Sequence, residues 1–130
     1  MAEASGRILI VDDEPPLLKM MQVYLKRLGF DVSVAGGTAQ AWLEFQTAPA
    51  SFAGVVLDAT MPGLSLEELA LRMLNANPEL FVIAASGYPV DMSALESASP
   101  GRTIFLHKPF APEMLASAIR RMLAPQEEGL

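Results

Sequence analysis

Ile8-Leu9-Ile10-Val11-Asp12-Asp13-Glu14 is the stretch on which the fold turns. Four consecutive apolar residues, three of them β-branched, leave no polar face, which is how a strand buried on both sides reads. The acidic triplet stops the run. Pro15-Pro16 follow, and a helix tolerates proline in its first turn. Leu18, Met21, Leu25 and Leu28 then recur at helical spacing, and Gly29 supplies a C-terminal stop.

The same alternation continues to the end of the chain. Phe30 to Ala35 reads as a weaker second strand; after Gly36-Gly37, Thr38 is placed to N-cap a helix carrying Ala41, Trp42 and Phe45. Val55-Val56-Leu57 runs straight into Asp58 as a third strand, followed by the loop Met61-Pro62-Gly63. Leu66, Leu69, Ala70 and Met73 form the next helical face, which ends near Asn77-Pro78. Leu80 to Ala85 is a fourth strand, stopping at Ser86-Gly87, and residues 90 to 99, rich in Ser and Ala, make a weak helix at best. Thr103 to Leu106 is the fifth strand, ending at His107-Lys108-Pro109-Phe110. The last helix carries Met114, Leu115, Ala118, Ile119 and Met122. No internal repeat, low-complexity segment or linker interrupts this order. Five strands alternating with five helical segments predict an α/β fold, a doubly wound parallel sheet with helices on both faces.

Composition sets the bounds. The 130 residues suit one domain, and 52% apolar against 18% charged residues argues for a packed core and against disorder. The domain is placed at residues 7–124, between an N-terminal extension of residues 1–6 and a polar tail, residues 125–130. Cysteine is absent, which removes thiol catalysis, zinc–thiolate sites and disulfides. No signal peptide opens the sequence, and the longest clean apolar run falls far short of the roughly 20 residues that span a bilayer. The expectation is a cytoplasmic protein with no membrane contact. Nine Lys and Arg against fifteen Asp and Glu give a formal charge of −6, which disfavours direct nucleic-acid binding by this domain.

Four strands end in groups able to do chemistry: Asp12 and Asp13, Asp58, Ser86, and Lys108. In a parallel sheet these ends share one edge, where open α/β sheets bind their ligands. Three carboxylates gathered there repel one another and call for a cation. Oxygen donors without sulfur or paired histidines favour Mg²⁺ over Zn²⁺. A carboxylate beside Mg²⁺, a lysine and a hydroxyl are the parts of a phosphoryl-transfer site, with the carboxylate as nucleophile.

In order and spacing, Ile8-Leu9-Ile10-Val11-Asp12-Asp13-Glu14, Val56-Leu57-Asp58 with Met61-Pro62-Gly63, Ala85-Ser86-Gly87, and Lys108-Pro109-Phe110 resemble the receiver domains of two-component response regulators. The resemblance runs from Arg7 to about Leu123 and implies the flavodoxin-like strand order 2-1-3-4-5, for which this family is a standard example. It implies that Asp58 is the phosphoacceptor, that Asp13 and Asp12 hold Mg²⁺ (Asp12 through water), and that the Thr60 backbone carbonyl completes the protein's share of the metal shell. Ser86 and Lys108 would hold phosphoryl oxygens, Ser86 and Phe105 would switch between two states, and Pro109 matches a position where the peptide is cis. Thr60 and Tyr88 flank the acceptor where the family tunes phosphoryl lifetime, with Tyr88 as a shield. His107, the sole histidine, is read as structural and not as a phosphodonor. Leu66 stands where the family generally has glycine, so the loop after Asp58 is expected to follow its own path.

The implied donor is a sensor histidine kinase or a histidine phosphotransfer protein. The implied output is a downstream protein meeting the face of the fourth helix, fifth strand and fifth helix, a face also open to homodimerisation. Both a stand-alone receiver and one cut from a longer protein fit, with a faint similarity to receivers at the C-termini of hybrid histidine kinases. The receiver is not expected to be a conventional enzyme, although it assists its own phosphorylation and dephosphorylation. Three alternatives stay open. A Mg²⁺-dependent phosphatase of the haloacid-dehalogenase type needs a second Asp two residues after the nucleophile, where this chain has Thr60. A flavin or nucleotide binder needs a glycine-rich cradle in place of Asp12-Asp13-Glu14-Pro15-Pro16. A degenerate receiver would act by binding alone.

Overall fold

Gly54 and Phe81 are register partners on the third and fourth strands, and the Phe81 ring lies directly over Gly54, where an added Cβ would come within 2.2 Å of it. Around this close contact the computed structural model, which describes residues 6–124, builds a five-stranded parallel sheet. The strands are β1 (Arg7–Val11), β2 (Asp31–Ala35), β3 (Phe52–Asp58), β4 (Phe81–Ser86) and β5 (Thr103–His107). Their order is β2-β1-β3-β4-β5, as the resemblance implies. The helices are α1 (Pro15–Arg27), α2 (Thr38–Gln46), α3 (Leu66–Ala76), α4 (Ser93–Ala98) and α5 (Pro112–Leu123), and a single 3₁₀ turn at Pro49–Ser51 precedes β3.

Alternate strand residues feed two separate layers, as a strand's two-residue period requires. Leu9, Val11, Val55, Leu57, Val82 and Ala84 pack with Phe45 of α2, Leu69 and Met73 of α3 and Leu95 of α4. Ile8, Ile10, Val56, Ile83 and Leu106 pack against Leu18, Met21 and Leu25 of α1 and Leu115 and Ile119 of α5. Both faces of the central strands are thus buried, which is why those strands read as unbroken apolar runs.

The helix ends follow from local chemistry. Prolines open α1 and α5, and basic residues (Lys26 and Arg27, Arg120 and Arg121) occupy their last turns, where they offset the helix dipole. Gly29, with φ +99°, turns the chain out of α1. Ser65 caps α3 by accepting the Glu68 N–H at 3.1 Å, so Leu66 enters as a buried first residue.

Some sequence expectations need correction. Thr38 is not a cap: Gly37 holds that position, and Thr38 is the first residue of α2. β3 begins at Phe52, before the expected Val55, because Gly54 still pairs with both β1 and β4. β4 is one residue displaced, at Phe81–Ser86, and residues 90 to 99 shrink to the six-residue α4. Met114 and Leu28 are exposed rather than buried, being at a helix start and a helix end where the apolar stripe turns away from the sheet. The extension and tail lie outside the described residues, apart from Gly6. Among the described residues no helix is long and apolar enough to cross a membrane.

Candidate functional site

Register brings the strand ends together. Val11 pairs with Leu57, Asp58 with Ala85, and Ser86 with His107. The ladder continues one step past the strands, with Ala59 N–H donating to the Ala85 carbonyl and Lys108 N–H to the Ser86 carbonyl, both at 2.8 Å. Asp12, Asp58, Ser86 and Lys108 therefore stand side by side along one rim, although the first and last are 96 residues apart.

Three of these groups are buried: Asp12 and Asp58 are each 3% exposed and Ser86 is 2% exposed. Asp13, on the loop, is exposed, yet carboxylate oxygens of Asp12, Asp13 and Asp58 all lie within 4.8 Å of one another. Like charges at about 4 Å repel by about 4 kcal/mol at an effective dielectric of about 20. Lys108 relieves part of this, its Nζ lying 3.0 Å from Asp12 Oδ2 and 3.4 Å from Asp58 Oδ2. Burial pulls the Lys108 ammonium toward the neutral form, but the hydrogen bond and charge of Asp12, with those of Asp58, more than offset it and raise its pKa above the ordinary lysine value. One ammonium against three carboxylates still leaves a negative surplus. The donor set is all oxygen, closely spaced and part-buried, and suits a hard divalent cation such as Mg²⁺.

Backbone turns aim the carboxylates. Asp12 Oδ1 accepts the Glu14 N–H at 3.0 Å, and Asp58 Oδ1 accepts both the N–H and the hydroxyl of Thr60, at 3.1 and 2.9 Å. Each is an aspartate bonding the amide two residues on, the Asx turn. Ser86 Oγ accepts the Tyr88 N–H at 3.0 Å, which uses a lone pair and not the hydroxyl proton. Beside the rim opens a cavity of about 530 Å³, walled by Leu17, Thr60, Tyr88, Lys108 and Phe110, of which Tyr88 is 73% exposed. The Lys108–Pro109 peptide is cis. Phe105, on β5, is half-buried against the α2–α3–α4 layer and edge-on to His107, ring centroids 6.4 Å apart.

The model of the response regulator receiver domain matches residues 8–120. The chain belongs to that family. Among curated relatives, this receiver is 32% identical over 119 residues to the C4-dicarboxylate transport transcriptional regulatory protein DctD of Rhizobium meliloti, covering 91% of this chain and 25% of that protein. It is 28% identical over 122 residues to the DNA-binding response regulator MtrA of Mycolicibacterium smegmatis, covering 94% of this chain and 52% of that one. The receiver thus spans between a quarter and about half the length of these regulators. Among solved structures, the response regulator protein TrrA of Thermotoga maritima, in complex with Mg²⁺–BeF, superposes with a TM-score of 0.76 at 26% identity, covering 92% of this chain and 100% of that one.

Two polar contacts of the loop after Asp58 were not foreseen from its sequence. The Thr60 hydroxyl holds Asp58, for which the Asp-x-Thr spacing is a usable signal. Thr38 Oγ1 accepts the Leu64 N–H across 26 residues, for which no sequence pattern exists.

Proposed function

We propose that this receiver is the phosphoacceptor of a two-component or phosphorelay pathway, charged at Asp58. The observation that carries the reading is Lys108 Nζ between two buried aspartates, with a third carboxylate inside the same 4.8 Å cluster. In the reaction a carboxylate oxygen of Asp58 attacks the phosphorus of a phosphohistidine. The phosphorus–nitrogen bond breaks, its electron pair leaves with the imidazole, and an acyl phosphate forms on Asp58. Asp12, Asp13, Asp58 and the Thr60 carbonyl would hold Mg²⁺, which supplies positive charge to the transferring oxygens.

Lys108 binds one phosphoryl oxygen and Ser86 donates its hydroxyl proton to another, which draws Ser86 toward Asp58 and lets Phe105 turn in behind it. The added charge of about −1.5 to −2 then alters the face of α4, β5 and α5, where a downstream protein or a second copy of the chain docks. The donor is a histidine kinase or a histidine phosphotransfer protein, in the cytoplasm. The receiver assists its own charging and discharge without turning over an external substrate, because Thr60 stands where an aspartate nucleophile phosphatase carries its acid–base group. We assign residues 7–124 to this unit. The DNA-binding name of the MtrA relative belongs to a chain about twice as long, and a domain of charge −6 is a poor ligand for a phosphate backbone.

Incubation with a phosphorylated donor kinase, or with acetyl phosphate and Mg²⁺, tests the reading. Label should appear on the wild-type chain and vanish in Asp58→Asn; equal labelling of the two would end it. Beryllofluoride with Mg²⁺ should shift the NMR signals around Ser86 and Phe105. Tyr88→Ala should shorten the phosphoryl lifetime several-fold by removing a bulky shield against water, as read from the decay of label after donor removal.

A further inference from the structure

Thr38 carries a hydroxyl that serves another part of the chain. Gly37, extended at φ −170°, is the N-cap of α2, and Thr38 is packed behind it at 6% exposure. Its Oγ1 accepts the Leu64 N–H at 3.3 Å. Gly63 presses on the same oxygen: a Cβ at Gly63 would lie 2.4 Å from Oγ1, and the residue's φ of +101° is one that side chains rarely adopt. Two features of one loop converge on one buried oxygen. That loop begins at the acceptor, and its Thr60 donates both N–H and hydroxyl to Asp58 Oδ1.

We propose that Thr38 is a positioning residue for the carboxylate site. By anchoring Gly63 and Leu64 it sets where Thr60 stands, and through Thr60 it orients Asp58 and the carbonyl offered to a cation. A short loop free at its middle samples many conformations, and each anchor removes some of them. With the hydroxyl gone the Leu64 N–H loses its partner, and the loop relaxes toward water. The effect on Mg²⁺ affinity rests on the reading of the rim given under the proposed function; the effect on loop geometry does not.

Thr38→Val keeps the shape and removes the acceptor, whereas Thr38→Ser keeps the acceptor and removes the methyl. In ¹⁵N NMR spectra Thr38→Val should move the Thr60 and Asp58 amide signals. In titration with Mg²⁺ alone it should raise the half-saturating concentration about tenfold, the scale of groups that orient metal ligands. Thr38→Ser should return both to wild-type values. A Thr38→Val chain with wild-type Thr60 signals and Mg²⁺ dependence overturns the proposal, as does a Thr38→Ser chain as impaired as Thr38→Val. If circular dichroism shows Thr38→Val unfolded, Thr38→Ala compared with Thr38→Ser decides by the same criteria. A wild-type chain that binds Mg²⁺ yet takes no label from acetyl phosphate removes the phosphoacceptor reading and leaves the Thr60 signals to judge Thr38.

Discussion

Lys108 is the residue on which the electrostatics of the rim depend. Its ammonium lies between Asp12 and Asp58, and removing it would leave three close carboxylates without an internal counter-charge. Burial lowers its pKa and the two aspartates raise it by more, so the folded value lies above the ordinary 10.5. The stabilisation is therefore complete below the unfolded lysine's pKa and is lost as pH rises through the folded value. Urea unfolding midpoints should hold level from neutrality to about pH 9 and fall in a step above the ordinary lysine range. In Lys108→Met that alkaline step should disappear, and stability measured without divalent cations should be lower already at neutral pH.

At the scale of elements, β3 and β4 meet through a steric fit and α4 is tied down by a polar one. Gly54 admits the Phe81 ring, and a methyl there would lie 2.2 Å from it. Gly54→Ala should cost about 1–3 kcal/mol in urea unfolding, the usual range for overpacking, and Phe81→Leu in the same chain should recover part of the loss. The six-residue α4 is too short to persist alone. Glu96 clasps it to β5, accepting the Thr103 hydroxyl and the Gly101 N–H, and Asp91 bonds Ser93 at its other end. The Thr103 hydroxyl first, then the Gly101 amide, lowers the Glu96 pKa. The clasp is thus present above the ordinary glutamate value of 4.5 and is lost as pH falls through the depressed one. Glu96→Ala should speed amide hydrogen exchange over 93–98 at neutral pH while β1 and β3 stay protected. In the wild type the same loss of protection, taken as protection factors relative to intrinsic exchange at each pH, should appear only in acid, where Asp91 also loses its charge.

For the whole molecule, net charge bears on the proposed metal site. The chain carries −6 overall, and the carboxylate rim is a dense part of it. A cation held only by the folded chain stabilises it by RT ln(1 + [L]/Kd), about 1 kcal/mol at about five times Kd. For a domain of this size that corresponds to a rise of about 3–5 °C in Tm. Thermal scans should show such a rise with MgCl₂ at fixed ionic strength, reversed by EDTA and nearly absent in Asp13→Asn. A rise of equal size in that variant would mean general screening rather than a site.

Much of this receiver is legible in its sequence. Apolar runs such as Ile8–Val11 and Leu80–Ala85 announce strands buried on both faces, because a parallel sheet covered by helices tolerates no polar side, and their alternation with helical spacing settles the class. The residues that end those runs, Asp12, Asp58, Ser86 and Lys108, were readable for the same reason: parallel strands must end at one edge. Tertiary structure alone decided the rest. Whether Lys108 reaches Asp12, whether Thr38 anchors Leu64 and whether Glu96 clasps Thr103 depend on register and side-chain packing between residues distant in the chain. Local periodicity records which face a residue takes; it carries no record of which distant atom waits there.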